Sequence, residues 1–364
     1  MIMGEIVFEN RVAEEKRGSS FPQDGISTRE ERKRLAPFSG ILIVICFVIL
    51  LSCCEEEETG YGIEPPTGSR HDCDYPAWSP KDDYIAYSYL LFNPEVPEDT
   101  VGLYLFDLSD STYAKILGDN PLYVPLNPDF SPDGKWLVFR KNSIEQIWKS
   151  TIMGDSLQQL TFGGKNFSPD WSPDGEKIIY FHYVIKSPED SSGIYIMNKE
   201  GTNKEWFVYG RSPVWIDNDN FVYSRSMINE DMAIYRYDLK SRQREKIIDY
   251  EEDWGGAESL ALSRTASRLV FVVNDNDDAL GHLWTVNLDG TDLTEITPEG
   301  GADSPAWSPD GSTILYVSMN DGQIYLMDPD GSNRRPLINS EESGYESGRN
   351  IMGVGLRERP CTYQ

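Results

Sequence analysis

Histidine, cysteine and positive charge are scarce in this chain of 364 residues. There are three His and five Cys, and the cysteines form neither a CxxC pair nor a Cys/His cluster, so no zinc site is expected. Lys and Arg number 33 against 60 Asp and Glu, which gives a formal net charge of −27. Because such a surface repels the phosphate backbone, a nucleic-acid partner is not expected either.

Long apolar runs are also missing. The longest covers residues 41–51 and is about half of the roughly 20 residues that a transmembrane helix needs. It suits the apolar region of a signal peptide, and the basic cluster at residues 32–34 supplies the charged region before it. The run ends in Leu50-Leu51-Ser52-Cys53, which resembles the lipobox of bacterial lipoprotein signals. That resemblance implies acylation of Cys53; the alternative is a short signal anchor with incidental cysteines.

These features divide the chain into four predicted regions. Residues 1–52 form a disordered leader with a signal peptide, and residues 53–74 form an acidic tether. Residues 75–338 form the folded domain, and residues 339–364 form a tail that contributes to ring closure. The predicted location is the bacterial cell envelope, with the folded domain held on a membrane in the periplasm or outside the cell.

Helical periodicity is absent after residue 54, and an internal repeat takes its place. One segment, best preserved as "PAWSPDGS" at residue 305, occurs six times. Its aromatic or apolar position recurs every 41 to 52 residues, at Trp78, Phe130, Trp171, Trp215, Leu262 and Trp307. This period is typical of one four-stranded propeller blade.

Each copy contains four short β-rich runs separated by turn residues, which indicates four antiparallel strands. A single such blade cannot bury both of its faces, so the copies are expected to pack in a ring. The predicted fold is therefore all-β, a six-bladed β-propeller of four-stranded antiparallel blades. We label the strands of each blade A to D, from the channel outward.

The repeat resembles the WD40-like (PD40), TolB-like propeller family. Three copies carry Ser-Pro-Asp-Gly intact, at 131–134, 172–175 and 308–311. The family includes the propeller of TolB and that of prolyl oligopeptidase-type peptidases, so the resemblance implies the fold and allows several functions. The segment "GYESG" at 344–348 is not a hydrolase nucleophile elbow, because Ser is not its middle residue.

Acidic residues in the turns are predicted to be structural. Asp310 recurs as Asp133 and Asp174, whereas catalytic acids do not usually repeat with the blades. The Asp side chain in such a turn bonds nearby backbone amides, and the following Gly adopts positive φ. Functional residues are expected instead where the blades differ, in the B–C and D–A loops that share one face.

Two neighbouring acidic loops on that face are the candidate partner-binding site. Their residues are Asp249, Glu251, Glu252, Asp253, Trp254, Asp275, Asp277 and Asp278. The last three are weak Ca²⁺ candidates, because carboxylates are calcium ligands but the Gly and final Glu of an EF-hand are missing. The alternative is a set of solvated loops on an acidic protein, and no other cofactor is expected.

Two functions remain open from the sequence. The favoured one is a monomeric, non-enzymatic, lipid-anchored module that binds an envelope protein or a glycan. The alternative is a metal-dependent polysaccharide lyase or hydrolase on the loop face, since some propeller lyases that act on pectin fragments resemble this repeat and use a His-rich metal site. The available histidines are His71, His182 and His282.

A disulfide between Cys73 and Cys361 is predicted to tie the two ends of the ring together. An exported protein permits disulfides, and a closed ring brings the regions before the first blade and after the last one together. The alternatives are two free thiols, or pairing through Cys54.

Lipidation is testable by metabolic labelling with a fatty-acid analogue in the native host. The wild-type protein should incorporate the label, and Cys53→Ala should lose it because the acylated sulfur is gone. Cys54→Ala is the matched control and should keep the label. Labelling of Cys53→Ala at the wild-type level would contradict the lipobox.

Overall fold

A computed structural model describes residues 71–91, 101–118, 123–141, 143–184, 192–225, 233–250, 254–275 and 280–337. All of them belong to the second of two compact units, Pro66–Gln364. The predicted leader, nearly all of the tether and the tail lie outside the described residues, and so do Cys53 and Cys361. Within the described ranges, no helix is long and apolar enough to cross a membrane.

The described residues form six four-stranded sheets, each built from consecutive strands. Blade 1 contains β1 (His71–Trp78), β2 (Tyr84–Leu91), β3 (Gly102–Asp107) and β4 (Thr112–Leu117). Blade 2 contains β5 (Pro125–Phe130), β6 (Trp136–Lys141), β7 (Gln146–Thr151) and β8 (Gln158–Gln159). Blade 3 contains β9 (Lys165–Trp171), β10 (Lys177–Tyr183), β11 (Gly193–Asn198) and β12 (Glu205–Val208).

The second half of the ring repeats this order. Blade 4 contains β13 (Arg211–Asp217), β14 (Asn220–Arg225), β15 (Ala233–Asp238) and β16 (Gln243–Asp249). Blade 5 contains β17 (Trp254–Ser263), β18 (Arg268–Asp275), β19 (Gly281–Asn287) and β20 (Thr294–Glu295). Blade 6 contains β21 (Ala302–Trp307), β22 (Ile314–Ser318), β23 (Gln323–Met327) and β24 (Arg335–Pro336). The predicted all-β, six-bladed propeller is confirmed.

The core lies between the blades. Six apolar clusters each combine side chains from two adjacent blades, one cluster for each junction of the ring. At the junction of blades 5 and 6, Trp307 packs with Val270 and Leu283 of one blade and Ile314 of the other. The residue at the Trp position of every copy belongs to such a cluster, so this position fills the wedge between neighbouring sheets.

Ring closure uses the same packing as the other five junctions. Ile85 and Tyr104 of blade 1 join Leu315 and Val317 of blade 6 in one cluster. Blade 6 already has four strands of its own and so does blade 1. Among the described residues, the ring therefore closes by contact between side chains, without a strand shared between first and last blade.

The Ser-Pro-Asp-Gly turns have the predicted structural role. In blade 6, the Ser308 hydroxyl donates to Asp310 Oδ1 at 2.7 Å, and the Ser312 amide donates to the same oxygen at 2.9 Å. The Thr313 amide closes the turn by donating to Ser308 Oγ at 2.9 Å. Asp133 and Asp174 accept the same pair of bonds in blades 2 and 3.

The C–D turns have a second role, because their glycines lie against the preceding blade. Gly290 in blade 5 has φ +82°, and a Cβ there would lie 2.4 Å from the carbonyl oxygen of Ile247 in blade 4. Gly331 in blade 6 has the same relation to the Ile296 carbonyl of blade 5. A side chain at either position would separate two blades.

We expect Gly290→Ala to destabilise the ring more than Gly134→Ala. Both glycines have positive φ, which costs an alanine roughly 1–2 kcal/mol. A Cβ on Gly134 would have no neighbour closer than 3.8 Å, whereas Gly290→Ala adds an overpacking cost of about 1–3 kcal/mol. Urea unfolding of both variants measures the difference, and equal losses would show that Gly290 does not set the blade spacing.

Candidate functional site: the mouth of the central channel

The first strand of each blade lines a central channel. β1, β5, β9, β13, β17 and β21 each contact the first strands of both neighbouring blades. The D–A and B–C connections lie at one end of this channel, which we call the upper face. The A–B and C–D turns lie at the other end, the lower face.

Each first strand carries a β-bulge halfway along the channel. The pairing with the second strand shifts register there in all six blades. One residue at each bulge has φ between +48° and +51°: Tyr75, Asn127, Ser168, Ser212, Ser259 and Ser304. The next residue is Pro except in blade 5, where it is Leu260. Since Pro has no N–H to donate, it suits a bulge on an edge strand.

The residue before each bulge lies on the upper side of it, and these six residues form what we call the mouth ring. They are Asp74, Leu126, Phe167, Arg211, Glu258 and Asp303, in blade order. The three acids occupy adjacent blades 5, 6 and 1. Two apolar residues and one arginine occupy blades 2, 3 and 4. The ring is therefore acidic on one side and apolar, with a cation, on the other.

Hydrogen bonds connect the acidic side from blade to blade. The Ser259 hydroxyl donates to Asp303 Oδ1 at 3.4 Å, and the Ser304 hydroxyl donates to Asp74 Oδ1 at 3.2 Å. Arg211 Nη1 lies 3.3 Å from Glu258 Oε1. These contacts hold the carboxyl groups in place around the mouth, because each bonds to a residue of the neighbouring blade.

The electrostatics of this side favour a positive charge. Burial raises the pKa of Asp303, and the Glu258 carboxylate raises it further, against hydrogen bonds from Ser304 and Ser259 that lower it. The Asp74 carboxylate, followed by burial, raises the pKa of the Tyr75 hydroxyl. Neighbouring carboxylates contribute to both shifts, and a cation at this side of the mouth would offset their charge.

The opposite side of the mouth is aromatic. The rings of Phe167 and Phe181 stack with centroids 5.9 Å apart. The guanidinium of Arg140 lies 5.2 Å from the Phe167 ring centre, and that of Arg211 lies 6.0 Å from Phe181. Further out on the same face, Phe162 is 74% exposed in the D–A connection of blade 2. This side offers apolar surface next to the acidic side.

The predicted acidic-loop site is only partly within the described residues. Asp249 is exposed at the end of β16 and its Oδ1 lies 2.5 Å from Lys246 Nζ. Trp254 is 5% exposed and packs against Tyr250 and Trp284, so its ring belongs to the core. Asp275 ends β18, and its side chain is not described.

The remaining members of that site, Glu251, Glu252, Asp253, Asp277 and Asp278, lie outside the described residues. Within the residues described, no group of three or more His, Cys, Asp or Glu is arranged to hold a metal ion. Calcium binding by the acidic loops therefore stays a prediction.

The histidines are in separate blades. His182 Nδ1 lies 2.8 Å from Asn166 Oδ1 in blade 3, and burial lowers its pKa. His282 Nδ1 lies 2.9 Å from Glu295 Oε1 in blade 5. His71 begins β1 and its side chain is not described. Cys73 lies in the same strand with its side chain also undescribed, so the disulfide with Cys361 stays a prediction.

The mouth ring was missed by the sequence reasoning, although a signal for it was present. Aligning the copies places five of its six members two residues before Pro, as in Asp74-Tyr75-Pro76 and Phe167-Ser168-Pro169. That column changes from acidic to apolar to basic among copies whose flanking residues repeat. Functional variation is expected in the loops, whereas this variable column lies inside a strand.

The raised pKa of Asp303 predicts a pH-dependent stability. The pKa of Asp303 in the folded state lies above the unfolded value of about 3.9. The folded state therefore loses stability as the pH rises from the unfolded pKa to the folded pKa. Asp303→Asn keeps an acceptor for Ser304 and Ser259 and should melt above wild type at pH 8, with the gain shrinking towards pH 4.

Asp310→Asn is the control, because its melting temperature at pH 8 should change in the opposite direction. Hydrogen bonds from Ser308 and Ser312 lower the pKa of Asp310, so its contribution is present at neutral pH and is lost as pH falls. This variant should melt below wild type at pH 8. Calorimetric melting of both proteins across the pH range checks the signs, and a pH-independent effect of Asp303→Asn would contradict the account.

No family model matches the chain. It is 32% identical over 113 residues to an uncharacterized protein of Agrobacterium fabrum, covering 27% of this chain and 39% of that one. It is 25% identical over 204 residues to an uncharacterized peptidase of Bacillus subtilis, covering 52% of this chain and 29% of the peptidase. The chain thus matches well under half the length of either relative.

Solved structures resemble it more broadly. A putative TolB from Agrobacterium tumefaciens has a TM-score of 0.53 at 21% identity, over 65% of this chain and 87% of that one. TolB from Acinetobacter baumannii has a TM-score of 0.58 at 19% identity, over 70% and 63%. An oligogalacturonate lyase from Vibrio parahaemolyticus has a TM-score of 0.51 at 11% identity, over 76% and 80%. The chain has the TolB-like six-bladed β-propeller fold.

Proposed function

We propose that this chain is a lipid-anchored protein of the bacterial cell envelope whose propeller binds a protein partner at the upper mouth of its channel, without catalysing a reaction. The observation that carries the proposal is the mouth ring. One backbone position, set by the same bulge in all six blades, holds six residues sorted into an acidic side and a mainly apolar side.

The fold does not require this sorting. Positions that build the blades vary less in chemical character: the wedge position is aromatic in five copies and Leu in the sixth, and the turn acid recurs in three. The mouth ring has the same backbone in every blade, but its side chains are acidic in three blades, apolar in two and basic in one. Side chains that vary on a constant scaffold are expected to serve binding.

The chemistry of the mouth favours a polypeptide that presents a basic residue beside an apolar one. Asp74, Glu258 and Asp303 would receive a Lys or Arg side chain, and Phe167 would pack against the neighbouring apolar residue. Because the acids lie part-buried in the channel, an ion pair there is screened less than one on the open surface. Phe162 extends the apolar contact onto the upper face.

The proposed location rests on the lipobox-like Leu50-Leu51-Ser52-Cys53 and agrees with the likeness to TolB. Activity is not transferred from the peptidase or the lyase, because a shared propeller fold hosts unrelated functions. The alternative function, a metal-dependent lyase or hydrolase on the same face, predicts bound metal and turnover of pectin fragments that His182→Ala abolishes. That result would overturn the non-enzymatic part of the proposal.

Site-specific photo-crosslinking in the native host tests partner binding. A photoreactive amino acid in place of Phe162, on the upper face, should give one discrete protein adduct. The same group in place of Met153, which is 54% exposed in the C–D turn of blade 2, should not, because that turn lies on the lower face.

Charge variants show whether the adduct depends on the mouth ring. Glu258→Gln combined with Asp303→Asn should reduce the adduct about tenfold or more, as expected when one side of a part-buried charge pair is removed. Glu245→Gln is the matched control, because Glu245 is exposed on the outermost strand β16. An adduct that survives the double variant, or that forms equally from Met153, would refute binding at the mouth.

A further inference from the structure

A separate cavity lies in the channel below the bulges. Its volume is about 250 Å³, and the first strands of all six blades line it. This is room for about eight water molecules at ~30 Å³ each, and it is below the roughly 300–1,000 Å³ of sites for drug-sized ligands. The cavity is distinct from the mouth ring, whose members are not among its lining residues.

One wall of this lower cavity is acidic. The residue after Pro in each first strand is Ala or Val in blades 1, 4 and 6, and blade 5 also has Ala at this position. Blades 2 and 3 have Asp129 and Asp170 instead. Asp129 Oδ2 accepts the Trp171 amide at 2.7 Å, and Asp170 Oδ2 accepts the Trp215 amide at 2.8 Å. Each carboxyl thus bridges to the next blade along the channel wall.

The two carboxyls also influence each other's protonation. Burial raises the pKa of Asp170 to about 6 and that of Asp129 well above its ordinary value, and the Asp170 carboxylate adds to the shift of Asp129. Two acids this close ionise as a coupled pair. A cation beside them would favour the ionised form of both carboxyls.

The opposite wall offers hydrogen-bond donors. The bonds of Trp171 and Trp215 show that the amide at this position points out of its own blade into the channel. Trp78, Leu262 and Trp307 hold the equivalent position, in the same pairing register with the second strand. The preceding blades have Ala306, Val214 and Ala261 at the position of Asp129 and Asp170, and these side chains carry no acceptor group. We therefore expect the three amides of blades 5, 6 and 1 to donate to a ligand or to water.

A cationic side chain, that of Arg264, lies at the lower end of the cavity. Four A–B turns have Pro after their Ser, at Pro80, Pro132, Pro173 and Pro309, and blade 5 has Arg264 there. Arg264 lines the cavity and is exposed. It has no salt-bridge partner in the described part of the chain, although its charge lowers the pKa of both Asp129 and Asp170.

We propose that the lower cavity binds a free α-amino acid, with the ammonium group on Asp129 and Asp170 and the carboxylate on Arg264 and the amides of blades 5, 6 and 1. Only a ligand that carries both a positive and a negative group can bind both walls. The ligand must also be small enough to fit the volume of the lower cavity. Val214 and Ala261 line the cavity and favour an apolar side chain.

Thermal shift and calorimetry on the full-length protein test this site. The standard amino acids, tried one at a time, should include at least one with an apolar side chain that raises the melting temperature, because a ligand that binds only the folded state stabilises it. The amine and the carboxylic acid of the same carbon skeleton should each bind at least about tenfold more weakly, since each lacks one charged contact.

Variants assign the two walls. Asp170→Asn keeps an acceptor for Trp215 and should weaken the amino acid and its amine analogue alike. Arg264→Ala, at an exposed position, should weaken binding of the amino acid and leave binding of the amine analogue unchanged. Glu258→Gln at the mouth ring should leave both unchanged, which separates this proposal from partner binding.

Proton release gives a readout that a structural role would not produce. Because an ammonium group beside Asp170 would lower its raised pKa of about 6, binding near pH 6 should release up to about one proton, seen as different heats in phosphate and Tris buffers. The release should disappear in Asp170→Asn. The proposal is overturned if no standard amino acid binds, if the amine binds as tightly as the amino acid, or if binding releases no proton.

Discussion

Everything in this molecule depends on the burial of sheet faces between neighbouring blades. A four-stranded blade has two apolar faces and no partner of its own, so it is stable only in contact with a blade on each side. Six such contacts around a circle leave no face uncovered. Apolar packing is not directional, and the ring needs further contacts that fix how each blade is rotated against the next.

Polar contacts near the channel supply that orientation, one at every junction. Ser88 bonds the Pro125 carbonyl between blades 1 and 2, and Asp129 and Asp170 make the next two links. Arg211 joins blade 5, and the hydroxyl groups of Ser259 and Ser304 complete the circle back to blade 1. The six links need not be chemically alike, because the backbone geometry at the bulge already positions the donor and acceptor groups. The sequence is therefore free to vary at these positions, and the variation gives the channel its uneven charge.

Much of the fold was predictable because the repeat is both local and periodic. Each Ser-Pro-Asp-Gly turn is decided by four adjacent residues, and the Trp position marks every blade. The bulge was not predicted, since positive φ at Ser or Asn before Pro has no strong local signal, although Pro inside a strand is itself a hint. The pairing of Asp129 with Asp170 was hidden for another reason. They are 41 residues apart, and only the curvature of the ring brings their carboxyl groups together. The acidic loops, where function was first sought, fall largely outside the described residues.

The prolines of the innermost strands also determine how the channel can hold a guest. An exposed strand edge normally invites another chain to add as an extra strand through main-chain hydrogen bonds. Here each inner edge is interrupted halfway by a bulge, and five of the six lose one N–H to proline. A polypeptide entering the channel has no continuous ladder to join. Recognition must then rest on side chains, and the same interruption keeps six open edges, facing one another across a narrow space, from templating aggregation.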